Sequence, residues 1–299
     1  MSTKFFFKFR MVLAASLLTL AGSAVLAQKS GGLRIGTYNL RYANHGDSVN
    51  GNGWGQRLPV IAGLIRFHDL DIFGTQEGLY LQLEGLRDSL PGYAYTGVGR
   101  DDGQQAGEHS AIFYKTDKFS LLEKGDFWLS TITDRPNKGW DAVLPRICSW
   151  GKFKDKTTGF VFYLYNLHMD HVGVKARAES ARLILEKIRQ LPANIPVVLT
   201  GDFNVDQTSE SYALINTSGV LRDSYELSPI RYALNGTFNA FKTGGKTDSR
   251  IDHIFVSQAF TVRRYGILTD TYRSKGEGGY EARTPSDHFP VMVEVTYKK

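Results

Sequence analysis

The sequence predicts an α/β fold in which β-sheets pack on one another and helices cover the outside. Three observations predict it. Strand-like and helix-like segments alternate along nearly the whole chain, with no internal repeat and no low-complexity linker between them. With 42% hydrophobic and 22% charged residues among 299, there is enough apolar material for a large core that needs no disulfide. Several apparent strands also end in a polar residue that a core would reject.

The elements follow in order. Residues 33–40 (LRIGTYNL) read as a buried strand, and 57–67 carry Leu58, Ile61, Leu64 and Ile65 at helical spacing. Residues 71–76 read as a short strand, 79–90 as a helix stopped by Pro91-Gly92, and 110–114 as a strand. Residues 147–153 and 160–167 read as adjacent strands joined by a turn at 156–159. Residues 174–190 place Ala181, Ile184, Leu185 and Ile188 on one face of an amphipathic helix. Residues 196–200, 251–256, 261–268 and 291–295 complete the strands, while the Gly-rich stretches 45–55 and 273–279 read as exposed loops.

The first 27 residues read as a secretory leader. Lys4, Lys8 and Arg10 precede an apolar run over 11–20 that is too short for a permanent span, and Val25-Leu26-Ala27 supplies a cleavage site. The remaining 28–299 form one domain, expected to be exported to the periplasm or beyond, without a stable membrane anchor, and to act as a monomer. The leader holds three positive charges and no negative ones, so its loss lowers the net charge from +6 to +3. That charge is too small to indicate nucleic acid on its own, and no stripe of Lys and Arg interleaved with aromatics appears. The lone Cys148 excludes an internal disulfide.

The polar strand ends carry the chemistry. Asn39 follows GTY, Glu77 follows DIFGTQ, His168 follows FYLYNL, Asp202 and Asn204 follow VVLTG, Asp252 sits in RIDHIF, and Asp287 and His288 precede FPVMVEV. Each alone has a bland reading as a turn former, a helix-terminal acid or a satisfied core histidine. Together they form a set. Hard oxygen donors such as Asn39, Glu77 and Asp287 suit Mg²⁺ or Mn²⁺. Two histidines with acidic neighbours exchange protons near neutral pH. Arg146, in LPRICSW, is a candidate to grip a phosphate through paired hydrogen bonds. Water attack on phosphorus with metal charge neutralisation uses this kit.

The stretches TYNLR (37–41), TQE (75–77), SAIFYK (110–115), NLHMDH (166–171), GDFN (201–204), RIDHIF (250–255) and SDHFPV (286–291) resemble, in order, the motifs of the endonuclease/exonuclease/phosphatase superfamily, and of its secreted bacterial members in particular. The resemblance implies a DNase I-like four-layer α/β/β/α sandwich, two mixed sheets face to face with helices outside. It implies Glu77 as principal metal ligand with Asn39 nearby, and Asp287 as a second-metal ligand or a structural support. Asp202 and Asn204 then orient or activate water and hold the phosphate. His288, paired with Asp252, is a base or a charged stabiliser. His168 contacts the phosphate or protonates the leaving oxygen, backed by Glu108. The implied activity is divalent-metal-dependent hydrolysis of a phosphate ester, with a phosphodiester as the leading substrate. The alternatives are a small, sugar or inositol phosphomonoester, or a non-catalytic binding module on the same scaffold.

Some residues stand apart. HMDH suggests zinc, but neither HExxH nor HxHxDH is present; the expectation is that Asp170 caps the following helix or that His171 lines the pocket. Trp54 and Arg57 match a family WxxR element that packs near the site. Trp140 and Asp141, in the loop before Arg146, either line the pocket or cover the core.

Overall fold

The computed structural model describes residues 30–276 and 278–298. The leader expected over residues 1–27 lies outside them. The first half runs β1 (Ser30–Asn39), α1 (His45–Val49), α2 (Trp54–Phe67), β2 (Ile72–Gln76), α3 (Tyr80–Ser89), β3 (Tyr93–Thr96), β4 (Ile112–Lys115), β5 (Phe119–Trp128), β6 (Ile147–Asp155) and β7 (Val161–His168). The second half runs α4 (Val174–Arg189), β8 (Val197–Asp202), α5 (Glu210–Asn216), β9 (Arg222–Asp223), α6 (Ser224–Leu227), β10 (Arg231–Tyr232), β11 (Asp252–Val256), β12 (Phe260–Ile267), β13 (Tyr272–Gly276), β14 (Gly279–Arg283) and β15 (Val291–Lys298).

Two mixed sheets, ordered β10-β12-β15-β1-β2-β4-β3 and β5-β6-β7-β8-β11-β9, pack face to face. Period-two alternation assigns each strand residue to a layer. Leu33 and Ile35 of β1, Phe162 and Leu164 of β7, Val198 of β8 and Ile254 and Val256 of β11 point between the sheets. Tyr38 and Phe73 point outward under α2 and α3, while Tyr163, Leu199 and Phe255 point outward under α4 and α5. The result is the α/β/β/α sandwich.

Toward one end the space between the sheets changes character. Thr37, Gln76, Asn166 and Thr200 are all fully buried there. Gln76 donates to Asn166 Oδ1 (2.7 Å) and to Thr37 Oγ1 (3.0 Å), and Thr200 donates to Asn166 Oδ1 (3.0 Å). Asn166 Nδ2 in turn donates to the carbonyls of Thr75 and Ala111. Gly74 makes room for this link, since a Cβ there would lie 2.1 Å from Asn166 Oδ1. On three of these strands the next inward position is a site residue: Asn39 after Thr37, His168 after Asn166, Asp202 after Thr200.

Three expectations need correction, and one long strand was not foreseen. Residues 273–279 are not a loop but much of the β13–β14 hairpin, and the 45–55 stretch contains α1, whose N-terminus is capped by Asn44 accepting from Asp47 N–H. Strand β5 went unread. Its edge position exposes Glu123 and Lys124, and a bulge between Leu121 and Glu123 breaks the alternation. Helix α4 is capped from a distance by Asp141, which accepts from Lys175 N–H (3.2 Å) and Ala176 N–H (2.6 Å), rather than by Asp170.

Candidate active site

Glu77, Glu108, Arg146, His168, His171, Asp202, Asn204, Asp287 and His288 line one cavity of about 600 Å³ at the polar end of the sandwich. Asn39 and Asp252 lie directly beneath, fully buried. The register of the sheets does the gathering. His168, Asp202 and Asp252 are cross-strand neighbours on β7, β8 and β11, and Asn39 is paired with Gln76, one residue before Glu77. Glu77 and Asn204 then leave their strands at φ 62° and 51°, a left-handed turn that costs about 1–2 kcal/mol for a residue with a Cβ and redirects each side chain into the cavity.

Asp252 Oδ2 accepts from His288 Nδ1 (2.8 Å), so Nε2 of that ring faces Asp202 Oδ2 at 3.7 Å. Burial alone would lower the His288 pKa. The Asp252 and Asp202 carboxylates outweigh it and raise it to about 10, so His288 is an imidazolium at neutral pH. Asp202 Oδ2 also lies 3.6 Å from His168 Nε2, and Asp202 Oδ1 accepts from Asn204 N–H (2.9 Å). Asn204 Nδ2 donates to the Met169 carbonyl (2.9 Å) and lies 3.0 Å from His168 Nε2.

Behind His168, Glu108 Oε2 lies 3.6 Å from Nδ1 and accepts from Arg100 Nη1 (2.6 Å). Burial would push Glu108 up. The hydrogen bond and charge of His168, then Arg100 and Arg146, hold it down at about 2. Arg100 carried no signal in the sequence, because a lone arginine in a loop reads as surface. Arg41 was also missed, although it directly follows TYNL. Its Nε donates to Asp47 (2.8 Å) and lies 3.7 Å from Asp287 Oδ2.

The acids divide by the work they already do. Glu77 accepts from Asn39 Nδ2 (3.0 Å) and Tyr42 N–H (3.1 Å). Burial first, then the charge of Glu77, raises the Asp287 carboxyl to about 6, against the pull of His288, Arg41 and Arg57. Two crowded carboxylates facing one cavity are a donor set that fits a hard divalent cation. Asn39 is held between the acids by hydrogen bonds. Arg41 N–H donates to its Oδ1 (2.9 Å), which turns Nδ2 toward Glu77 and toward Asp202 (3.0 Å), so Asn39 bridges the two acids. Asp202, Asp252 and His288 also bring one ligand atom each within 4.8 Å of one another, but Asp252 and His288 are hydrogen-bonded together.

HMDH does not assemble a zinc cluster. Asp170 is occupied by the N–H groups of Val143, Val172 and Gly173 and by Arg146 Nε, while His171 Nδ1 accepts from Arg146 Nη2 (2.8 Å). Arg146 is itself buried and lines the cavity with Nη1 unpartnered. Arg57 packs as expected, donating to the carbonyls of Leu40, Arg41 and Pro285 and so tying β1 to the segment before Asp287. Trp140 is half-buried at φ 51°, outside the cavity lining.

Residues 36–288 match the model of the Endonuclease/Exonuclease/phosphatase family. A crystal structure of a family protein from Bacteroides thetaiotaomicron is 62% identical, with a TM-score of 0.89 over 91% of this chain and 97% of that one. A mannosyl-6-phosphatase from the same organism is 64% identical, with a TM-score of 0.86 over 88% of this chain and 99% of its own. The Ccr4 exoribonuclease subunit of Debaryomyces hansenii is 26% identical over 63% of this chain, which spans only 28% of that relative's length. The chain therefore belongs to the Endonuclease/Exonuclease/phosphatase family, whose members are divalent-metal-dependent phosphoester hydrolases.

Proposed function

We propose that the protein is a phosphomonoesterase that removes the phosphate from the 6-position of a mannosyl or similar sugar. Of the two ester classes open at the sequence level, the monoester is preferred. The observation that carries this reading is Arg146, an arginine buried to 4% exposure beside His168 and Glu108 with a free Nη1. A buried guanidinium with an unspent donor favours a compact, highly charged oxyanion such as a monoester dianion. The 64% identity to the mannosyl-6-phosphatase supports the sugar. The rim adds an aromatic surface for it: Phe238, 44% exposed, packs edge-on against His288 at 5.1 Å.

Each residue then has a task. Arg146, imidazolium His288 and Asn204 hold the phosphoryl oxygens. Asp202, between the two imidazoles, orients the attacking water and takes its proton as the new O–P bond forms. His168, backed by ionised Glu108, protonates the sugar oxygen as the P–O bond breaks, once Asn204 releases its Nε2. Glu77 and Asp287 would hold a Mg²⁺ or Mn²⁺ ion, which would supply charge neutralisation at the phosphoryl group.

The test is release of inorganic phosphate from mannose 6-phosphate, p-nitrophenyl phosphate and bis-p-nitrophenyl phosphate with Mg²⁺ or Mn²⁺. The monoesters, and the sugar above all, are expected to turn over fastest. A preference for the diester, or activity that survives EDTA, overturns the reading.

A further inference from the structure

The Arg146–His171 contact determines more than the position of Arg146. A guanidinium has no acceptor, so the 2.8 Å contact requires the lone pair to sit on His171 Nδ1. The remaining ring proton is therefore on Nε2. Nothing in that arrangement lets His171 act as a base through Nε2 or bind a metal there without breaking its contact with Arg146. What it can do is donate one hydrogen bond from an uncharged ring.

Its depth in the site says to what. The phosphate-facing groups are buried: Arg146, His168, Asp202 and His288 all fall below a tenth exposed. His171 is exposed, yet lines the same cavity alongside Leu144 and Phe238, both of them also exposed. The cavity thus has a buried, charged floor and an exposed rim of apolar and singly polar groups. A phosphoryl group belongs on the floor, and the group that carries it must emerge past the rim.

The rim is also held rigidly. Asp170 accepts from Val143 N–H, Val172 N–H, Gly173 N–H and Arg146 Nε, so one carboxylate ties the loop before β6, the turn bearing His171 and the arginine together. Asp141 ties the same loop to the first turn of α4. Few degrees of freedom remain for the ring, which is the condition under which a single hydrogen bond discriminates between substrates.

We propose that His171 is a specificity-determining residue: locked by Arg146 as the Nε2–H tautomer, it donates to a hydroxyl or ring oxygen of the sugar leaving group. This rests on the sugar-phosphatase reading above, and it makes Arg146 and His171 a pair, one reading the phosphate and the other the sugar.

His171→Asn and His171→Ala would be compared with the parent protein on mannose 6-phosphate and on p-nitrophenyl phosphate, which lacks sugar hydroxyls. Asn retains an acceptor for Arg146 close to the Nδ1 position but cannot reach outward as Nε2–H does. Its kcat/KM is expected to fall about tenfold more on the sugar phosphate than on the aryl phosphate, through KM, the scale of one uncharged hydrogen bond. His171→Ala is expected to lose on both substrates, since Arg146 is then also unheld. A readout independent of turnover is the extra rise in melting temperature given by mannose 6-phosphate over inorganic phosphate, which His171→Asn is expected to abolish. Equal losses on both substrates with His171→Asn would assign His171 to the phosphate, and no loss on either would remove it from recognition; both overturn the inference. A parent protein that ignores sugar phosphates overturns the functional reading instead.

Discussion

The two ends of the space between the sheets have opposite chemistry. At one end Phe119, Phe153, Phe160, Phe162 and Phe260 pack in one aromatic cluster with Tyr297, whose ring stacks on Phe160 with centroids 3.8 Å apart. At the other, Thr37, Gln76, Asn166 and Thr200 exchange hydrogen bonds and hand over to charged groups. Apolar contact is non-directional and sums over area, so the first end supplies stability. Hydrogen-bonded partners fix angles as well as distances, so the second end supplies aim. The difference teaches that the molecule keeps its stability and its precision in separate halves of one interior.

Truncation at the apolar end is the strongest way to break that division. Phe162→Ala is expected to destabilise the fold by about 3–5 kcal/mol, measured by denaturant unfolding. The molecules that remain folded should keep the parent turnover per active site. A turnover loss out of proportion to the unfolded fraction would mean that the two halves are coupled.

The converse change is Glu77→Gln. Activity should drop about 10²–10³-fold, the scale of losing one electrostatic contact to the transition state, while the unfolding midpoint stays close to that of the parent. A collapse in stability would instead make Glu77 a structural acid.

The smallest effect sharpens the boundary between the halves. The Glu108 carboxyl is held at about 2 in the folded protein, below the value of about 4.3 in an unfolded chain. Its stabilising contribution is therefore complete above pH 5 and is lost as the pH falls from about 4.3 through about 2. Plotting unfolding free energy against pH for the parent and Glu108→Gln should show a gap that narrows across that window. Parallel curves would show that Glu108 is not tied to Arg100 and His168 in the folded state.

The same division explains what the sequence disclosed. Central strands are buried on both faces and read as largely apolar runs with a polar residue at one end, so β1, β7, β8 and β11 and their terminal Asn39, His168, Asp202 and Asp252 were readable from pattern. Elements with an interrupted or mostly exposed pattern were not. The sheet-edge strand β5 exposes Glu123 and Lys124 at its bulge, and hairpin β13–β14 pairs residues that are mostly exposed, so neither leaves a periodic trace. Contacts made across loops also left none: Arg100 reaches Glu108, and Asp141 reaches the start of α4, through partners that only the fold brings close. Asn39 shows a different limit. Its position was legible, but which end of its amide faces the acids is decided by Arg41 N–H, a backbone donor invisible to composition.

The adjacency of His168, Asp202 and Asp252 on three hydrogen-bonded strands has an engineering consequence. Their spacing is set by strand separation, which sequence changes in surrounding loops barely alter. Leu144, which reaches the cavity lining from the loop before β6, can therefore be varied to reshape the rim while those three side chains stay in register.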